Sequence, residues 1–220
     1  MNKIEKSLDI ILKQGALPLF FHASEEVSLN VLKALYDSGV RSVEYTNRGK
    51  EALSNFKALV AKRNAEMSGL QLGIGTIKNA TDAKLFVEAG ADYLISPGMV
   101  AEVAEVADKE GVLYVPGCMT VSEIIQAENL GIKFIKLFPG NMLGPTFMSS
   151  IKDVFPNLYF MPTGGVELNA ENIGGWFEAG VVAVGLGSKL ITKDLLEQRN
   201  YSEIQSATKS ALSIAQSFLK

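Results

Sequence analysis

One lysine in this chain stands where it could act as a nucleophile. Lys136 lies in residues 131–144, GIKFIKLFPGNMLG, near the end of an apolar, β-favouring run that Pro139 and Gly140 terminate. Burial of an ammonium is costly, so an apolar site favours the neutral amine, which can attack a ketone and form a Schiff base. The alternative is a lysine that extends from the strand end into solvent.

Other reactive side chains follow the ends of other predicted strands. Glu44 and Arg48 occur together in EYTNR, and Thr76 follows the strand at residues 70–74. A carboxylate can transfer protons, and a guanidinium with a hydroxyl nearby suits a substrate carboxylate. Glu44 and Arg48 could equally form a surface ion pair.

Two glycine-rich turns follow the last two predicted strands. The first is Thr163, Gly164 and Gly165, and the second is Gly187 and Ser188. The loops after strands seven and eight of a barrel commonly hold phosphate on their backbone N–H groups. Each turn could simply be a tight connection, but the joint placement of all these residues at the same ends of their strands favours an active site.

The elements that would position these residues alternate regularly. An extra helix at residues 4–12 precedes eight predicted strands that alternate with helices, including a strand at 113–115 and a helix near 146–154. Such alternation predicts a parallel sheet, and eight units predict an α/β fold of the (β/α)8 TIM-barrel type that occupies residues 1–220 as a single domain. A doubly wound open sheet is the alternative. The chain has neither a Gly-x-Gly-x-x-Gly after the first strand nor a P-loop.

Composition excludes several functional classes. The formal net charge of −3 gives no electrostatic case for nucleic acid, and no apolar run approaches the ~18 residues of a membrane span. The N-terminal residues do not resemble a signal peptide, and the single cysteine, Cys118, suits a reducing cytoplasm. The chain has one histidine, His22, and no metal-ligand spacing. We therefore expect a cytoplasmic protein with no metal, no membrane and no nucleic acid.

Taken together, the motifs resemble those of a known family. The stretches GVRSVEYTNR, GIGTI, AGADYLISPG, VPGCMTVSE, GIKFIKLFPG and FMPTGG occur in this order along essentially the whole chain. They are similar to the class I aldolases that act on 2-dehydro-3-deoxy-6-phosphogluconate (KDPG) and 4-hydroxy-2-oxoglutarate (KHG). The resemblance implies a small (β/α)8 barrel, a homotrimer, a small-molecule 2-keto acid substrate and no cofactor.

The resemblance also implies roles for individual residues. Lys136 corresponds to the Schiff-base lysine and Glu44 to the general acid/base. The implied substrate-binding residues are Arg48 and Thr76 for the carboxylate, Gly164, Gly165, Gly187 and Ser188 for the phosphate, and Pro97, Phe138 and Thr163 for the pocket and the orientation of the intermediate.

Three positions depart from the family pattern. Asn47 stands at a position that is usually apolar, Gly140 stands where alanine or serine is frequent, and His22 stands where some members carry arginine. These departures affect the substrate more than the type of reaction.

The implied reaction is lysine-dependent cleavage of KDPG to pyruvate and glyceraldehyde 3-phosphate, or of KHG to pyruvate and glyoxylate. Three alternatives stay open at this level. They are a phosphate-binding barrel epimerase or thiamine-phosphate synthase, a metal-dependent class II aldolase, and a non-catalytic binding protein of the same fold.

Overall fold

The computed structural model describes residues 1–219 as an α/β fold in which helices alternate with parallel strands. The elements in chain order are α1 (Lys3–Gln14), β1 (Ala16–Phe20), α2 (Glu25–Asp37), β2 (Ser42–Thr46), α3 (Ala52–Glu66), β3 (Gln71–Gly75), α4 (Ala80–Glu88), β4 (Tyr93–Ile95), α5 (Ala101–Glu110), β5 (Leu113–Val115), β6 (Gly117–Cys118), α6 (Val121–Asn129), β7 (Phe134–Leu137), α7 (Gly140–Ile151), β8 (Tyr159–Pro162), α8 (Ala170–Ala179), β9 (Val184–Leu186), α9 (Lys193–Glu197) and α10 (Tyr201–Ser217). None of the helices in this part of the chain has the length and apolar character needed to cross a membrane.

The strands form two parallel sheets. The larger has six strands in the order β5-β4-β3-β2-β1-β9, and the smaller has three in the order β6-β7-β8. Every strand pair is parallel. The register places Glu44 of β2 opposite Gly73 of β3, and Lys136 of β7 between Gly117 of β6 and Met161 of β8. The predicted parallel α/β architecture is confirmed at this level.

The predicted strand at residues 113–115 is present as β5, and a further short strand, β6, which was not predicted, follows Pro116. β5 pairs with β4 on one side of Pro116, and β6 pairs with β7 on the other. A proline has no N–H to donate to a ladder, so the regular pairing is interrupted there. At the other edge of the small sheet, Thr163 forms an isolated parallel bridge with Gly185 of β9.

The N-terminal helix α1 closes one end of the strands. Asn2 and Glu5 form a capping box, and Gly15 ends the helix with a φ of 69°, a conformation that glycine adopts without strain. The side chain of Gln14 accepts hydrogen bonds from the backbone N–H groups of Arg41 and Ser42, at 2.6 and 2.9 Å. The helix is thereby tied to the start of β2.

Two apolar clusters follow from the two-residue period of the strands. The larger lies between the strands and the surrounding helices. The smaller lies on the opposite side of the strands, and Ile4 and Leu8 of α1 pack against it. Its buried members are Ile11, Leu17, Tyr93, Ile95, Leu113, Val115, Phe134, Met161 and Ala183.

Two helices differ from the sequence-based expectation. The helix expected near 146–154 begins at Gly140 and contains a break at Gly144, whose φ of 72° and ψ of 167° are not helical. Pro145 follows this break, because a proline fits the first turn of a new helical segment. The short α9 has no counterpart among the predicted elements. Thr192 caps it by accepting the N–H of Leu195.

Candidate active site

Glu44 and Lys136 lie together although they come from different sheets. Lys136 Nζ is 3.7 Å from Glu44 Oε1, and the two side chains are 6% and 1% exposed. Strand alternation explains their direction, because Val43 and Tyr45, the neighbours of Glu44, belong to the larger apolar cluster between the strands and the helices. The Glu44 side chain therefore points to the opposite side of β2. The Lys136 side chain likewise points away from this cluster on β7.

The environment of this pair changes the acidity of the carboxyl group. Burial raises the pKa of Glu44 above its ordinary value of 4.5, and the positive charges of Lys136 and Arg48 only partly oppose the shift. Neither carboxyl oxygen has a hydrogen-bond partner among residues 1–219. A buried carboxyl group with a raised pKa can both accept and donate a proton closer to neutral pH than an exposed one.

Two glycines of β3 make room for side chains of the neighbouring strands, one of which is Glu44. A Cβ on Gly75 would overlap Glu44 Oε1 and lie 2.5 Å from its Cδ, and a Cβ on Gly73 would overlap the Tyr93 ring. No role is predicted for either glycine from the sequence motifs. Their signal was present, because glycine at alternate positions within a strand indicates the close approach of another group.

A cleft of about 260 Å3 opens beside the Glu44–Lys136 pair, although neither side chain of the pair lines it. Phe138 connects the two, since it lines the cleft and its ring centroid lies 5.3 Å from Lys136 Nζ. Seven of the substrate-binding residues predicted from the sequence line this cleft, namely Arg48, Phe138, Thr163, Gly164, Gly165, Gly187 and Ser188.

Thr76 and Pro97 do not line the cleft, but they adjoin the buried pair. Thr76 follows Gly75 and has a φ of 64°, which is uncommon for a threonine and is a form of strain that concentrates at functional sites. The carbonyl oxygen of Pro97 packs so closely on Gly117 that a Cβ there would overlap it. Gly117 in turn is the β6 residue paired with Lys136.

The first glycine turn is packed tightly against the start of α7. Gly164 and Gly165 have φ values of 95° and 74°, which favour glycine. The N–H of Gly140 donates to the carbonyl of Thr163 at 2.8 Å, and a Cβ on Gly165 would overlap Asn141. The Thr163 hydroxyl is buried and has no hydrogen-bond partner in the described part of the chain, so it is available to a bound molecule.

The three positions that depart from the family pattern have structural roles that the geometry makes plain. His22 Nδ1 accepts the backbone N–H of Ser24 at 3.0 Å, so this ring nitrogen is engaged locally. Asn47 donates to Asp82 at 3.3 Å, which ties β2 to the start of α4. A Cβ on Gly140 would lie 2.8 Å from the carbonyl oxygen of Gly164, so even an alanine there would require a shift.

Two polar side chains of the cleft were missed as candidate site residues. Thr46 is two positions after Glu44 on the same strand, lines the cleft and donates to the Phe20 carbonyl at 3.4 Å. Period-two alternation would have identified it, because it must face the same side as Glu44. Lys189, directly after Ser188, also lines the cleft. Within residues 1–219, no group of three or more His, Cys, Asp and Glu side chains is placed to hold a metal ion.

A parallel α/β fold that buries a lysine beside a carboxyl group, next to a cleft with glycine-rich turns, has the features of the lysine-dependent aldolases. Comparison with known proteins agrees. Residues 8–207 match the family described as KDPG and KHG aldolase, and the chain belongs to this family. It is accordingly an aldehyde-lyase, and the family predicted from the sequence motifs is confirmed.

Individual relatives are similar over nearly their whole length. The KHG/KDPG aldolase of Escherichia coli is 30% identical over 215 residues, which cover 96% of this chain and 98% of that protein. A solved structure of a 4-hydroxy-2-oxoglutarate/KDPG aldolase is 32% identical with a TM-score of 0.82, covering 95% of this chain and 98% of the other. The KDPG aldolase of Legionella pneumophila, solved with pyruvate captured at low pH as a covalent carbinolamine, is 25% identical with a TM-score of 0.85 and covers 93% and 97%.

Proposed function

We propose that this chain cleaves KDPG to pyruvate and glyceraldehyde 3-phosphate, and KHG to pyruvate and glyoxylate, through a Schiff base on Lys136. One observation carries the proposal. The amine of Lys136 and the carboxyl group of Glu44 lie 3.7 Å apart and are both buried. A nucleophile and a proton-transfer group within reach of one reacting atom are what a Schiff-base lyase requires.

The reaction proceeds by addition of neutral Lys136 Nζ to the substrate ketone carbon. The ketone oxygen takes up a proton from solvent and leaves as water, which gives an iminium that can accept an electron pair. Glu44 takes the proton of the 4-hydroxyl group while the bond between the third and fourth carbons breaks, and that electron pair forms an enamine of pyruvate. Glu44 then returns a proton to the enamine carbon. Water adds to the iminium and releases pyruvate, the free amine and the proton that was taken up from solvent. One carboxyl group serves both transfers, which its raised pKa favours.

The residues around the pair are proposed to hold the substrate. Arg48 is a charged side chain that lines the cleft and would grip the substrate carboxylate, with Thr76 adding a hydrogen bond. The two glycine turns would hold the phosphate through Gly164, Gly165, Gly187 and Ser188, and Pro97, Phe138 and Thr163 would shape the pocket around the intermediate.

We further propose that the two sheets belong to one closed (β/α)8 barrel formed by residues 1–220 as a single domain. Two features of the strands support closure of the barrel. β5 and β6 are separated only by Pro116, and Thr163 at the end of β8 bridges to Gly185 of β9. Closure would leave no exposed strand edge, which is the usual advantage of a barrel.

The proposed assembly is a homotrimer that works in the cytoplasm. The likeness to the family supports it, and so do apolar side chains that remain exposed at and near the start of α6, namely Met119, Val121 and Ile125, at 43%, 40% and 45%. Light scattering on the purified protein tests the assembly, and a monomeric mass would contradict it.

The activity is tested by following pyruvate release from KDPG, from its galactose-derived epimer and from KHG. Wild type should release pyruvate from at least the first, and Glu44→Gln should be slower by roughly 10²- to 10⁴-fold, the usual contribution of general acid–base catalysis. Glu25→Gln is the matched control, because it removes the same charge from an exposed position on α2.

Three outcomes would contradict the proposal. Loss of activity on addition of a chelator would favour a metal-dependent aldolase. Absence of pyruvate release from all three substrates would favour an epimerase, a synthase or a binding protein of this fold. Wild-type rates in Glu44→Gln would remove Glu44 from the mechanism.

A further inference from the structure

An ion pair joins the loops that carry the two glycine turns. Lys189 follows the Gly187–Ser188 turn after β9, and Glu167 follows the Thr163–Gly165 turn after β8. Lys189 Nζ lies 2.8 Å from Glu167 Oε1, and the two side chains are 53% and 45% exposed. The pair therefore spans the rim of the cleft at the end where the proposed phosphate site lies.

The two partners face different spaces. Lys189 lines the cleft, whereas Glu167 borders a neighbouring groove with Asn169 and Asn172. The backbone beneath each side chain is fixed, because the N–H of Glu167 donates to Asn172 Oδ1 at 2.9 Å and the N–H of Leu190 donates to the Gly187 carbonyl at 2.9 Å. The lysine side chain, by contrast, is half exposed and can turn from the carboxylate toward the cleft.

The charges around the cleft indicate what this lysine would bind. The charged side chains that line it, in the described part of the chain, are Arg48 and Lys189. They follow β2 and β9, which lie on either side of β1 in the sheet. If Arg48 binds the substrate carboxylate next to the imine, Lys189 is the remaining cation of the cleft that can bind a second anionic group at the far end of the substrate.

We propose that Lys189 is a specificity-determining residue that exchanges Glu167 for a phosphate monoester at the far end of the substrate. This inference rests on the proposed function of the same site. An exposed ion pair contributes little to stability, so the exchange costs little. A phosphate dianion offers the ammonium more charge and more acceptor oxygens than one carboxylate does. The distal carboxylate of KHG lies several bonds closer to the imine than the phosphate of KDPG, so it should depend much less on Lys189.

The first test compares two substrates in four variants. Lys189→Met should raise KM for KDPG by about five- to tenfold, a modest factor because the lysine is exposed and screened, and should change KM for KHG less than about twofold. Glu167→Gln keeps the size and an acceptor oxygen but removes the competing negative charge, so KM for KDPG should fall a few-fold. In the double variant that combines Lys189→Met with Glu167→Gln, the Glu167→Gln change should alter KM for KDPG less than it does in a protein that keeps Lys189. Lys193→Met is the matched control, because Lys193 pairs with Glu197 on α9 at 3.4 Å and does not line the cleft.

The second test separates this inference from the proposed function. Inorganic phosphate is titrated into wild type and Lys189→Met by calorimetry, and the variant should bind it about five- to tenfold more weakly, with the difference shrinking at high salt. The proposal is overturned by equal KM changes for both substrates, by an unchanged KM for KDPG, by equal phosphate affinity in both proteins or by no phosphate binding in wild type. Failure of pyruvate and borohydride to modify Lys136 would instead overturn the proposed function, whatever the phosphate titration gives.

Discussion

Substitution of Gly75 by alanine should displace the proposed acid/base with little change to the chain around it. Gly75 has no left-handed backbone conformation, so β3 itself tolerates a Cβ. That Cβ would overlap Glu44 Oε1 and would lie 2.5 Å from Glu44 Cδ. An ordinary contact requires at least about 3.4 Å, so the atoms of the carboxyl group must move by roughly 1 to 2 Å. A misplacement of about 1 Å can lower the rate on the order of 10²-fold when orientation is lost.

The assay for Gly75→Ala is kcat for pyruvate release, together with formation of the borohydride-trapped pyruvate adduct. We expect kcat to fall about 10²-fold while adduct formation on Lys136 continues, because the added methyl group is directed at Glu44. Gly175→Ala is the matched control, since nothing lies within 4 Å of a Cβ at this position of α8. It should keep full activity and gain up to about 1 kcal/mol of stability. Full activity in Gly75→Ala would refute the assignment of Glu44, and so would equal loss of kcat and adduct formation in a folded variant.

Three further predictions concern the surroundings of the site. Arg48→Lys should raise KM for 2-keto acids about tenfold, since a charged hydrogen bond contributes ~1.5–3 kcal/mol, whereas His22→Ala at pH 8 should matter much less because Nδ1 already accepts the N–H of Ser24. A larger effect from His22→Ala would contradict the carboxylate assignment. Because the pKa of Glu44 is raised from 4.5, the folded chain keeps a proton that the unfolded chain releases. The free energy of unfolding should therefore lose a contribution as pH rises from about 4.5 through the raised pKa, and denaturant titrations should show this loss in wild type but not in Glu44→Gln. Burial raises the pKa of Cys118 to about 12, so thiol reagents at pH 8 should label it only after unfolding, and rapid labelling of the folded protein would contradict its burial.

The parallel architecture could be predicted from the sequence because each element has a local signal. Apolar runs ended by glycine or proline mark the strands, and polar caps such as Ser24 mark the helices. The division at Pro116 could not be predicted in the same way. Whether a proline ends a strand or only interrupts it depends on which neighbours pair on either side, and here β4 and β7 pair with different segments.

The candidate site was predictable wherever a residue type carries its chemistry. Lys136 and Glu44 were identified as an amine and a carboxylate at strand ends, and the structure places them 3.7 Å apart. Their separation was not predictable from local patterns, since it depends on two strands from different sheets. The spacing of Gly73 and Gly75 indicates that some group approaches β3 closely, but the groups themselves, Tyr93 and Glu44, lie on other strands and could not be predicted from the local pattern.

The most direct test of the account is the position of the pyruvate adduct. The protein is incubated with pyruvate and borohydride, digested and analysed by mass spectrometry, with Glu44→Gln treated in parallel. We predict a single stable adduct on Lys136 in both proteins, because the amine alone forms the imine and Glu44 acts on the later proton transfers. An adduct on another lysine, or no adduct on the wild-type protein, would contradict the central claim.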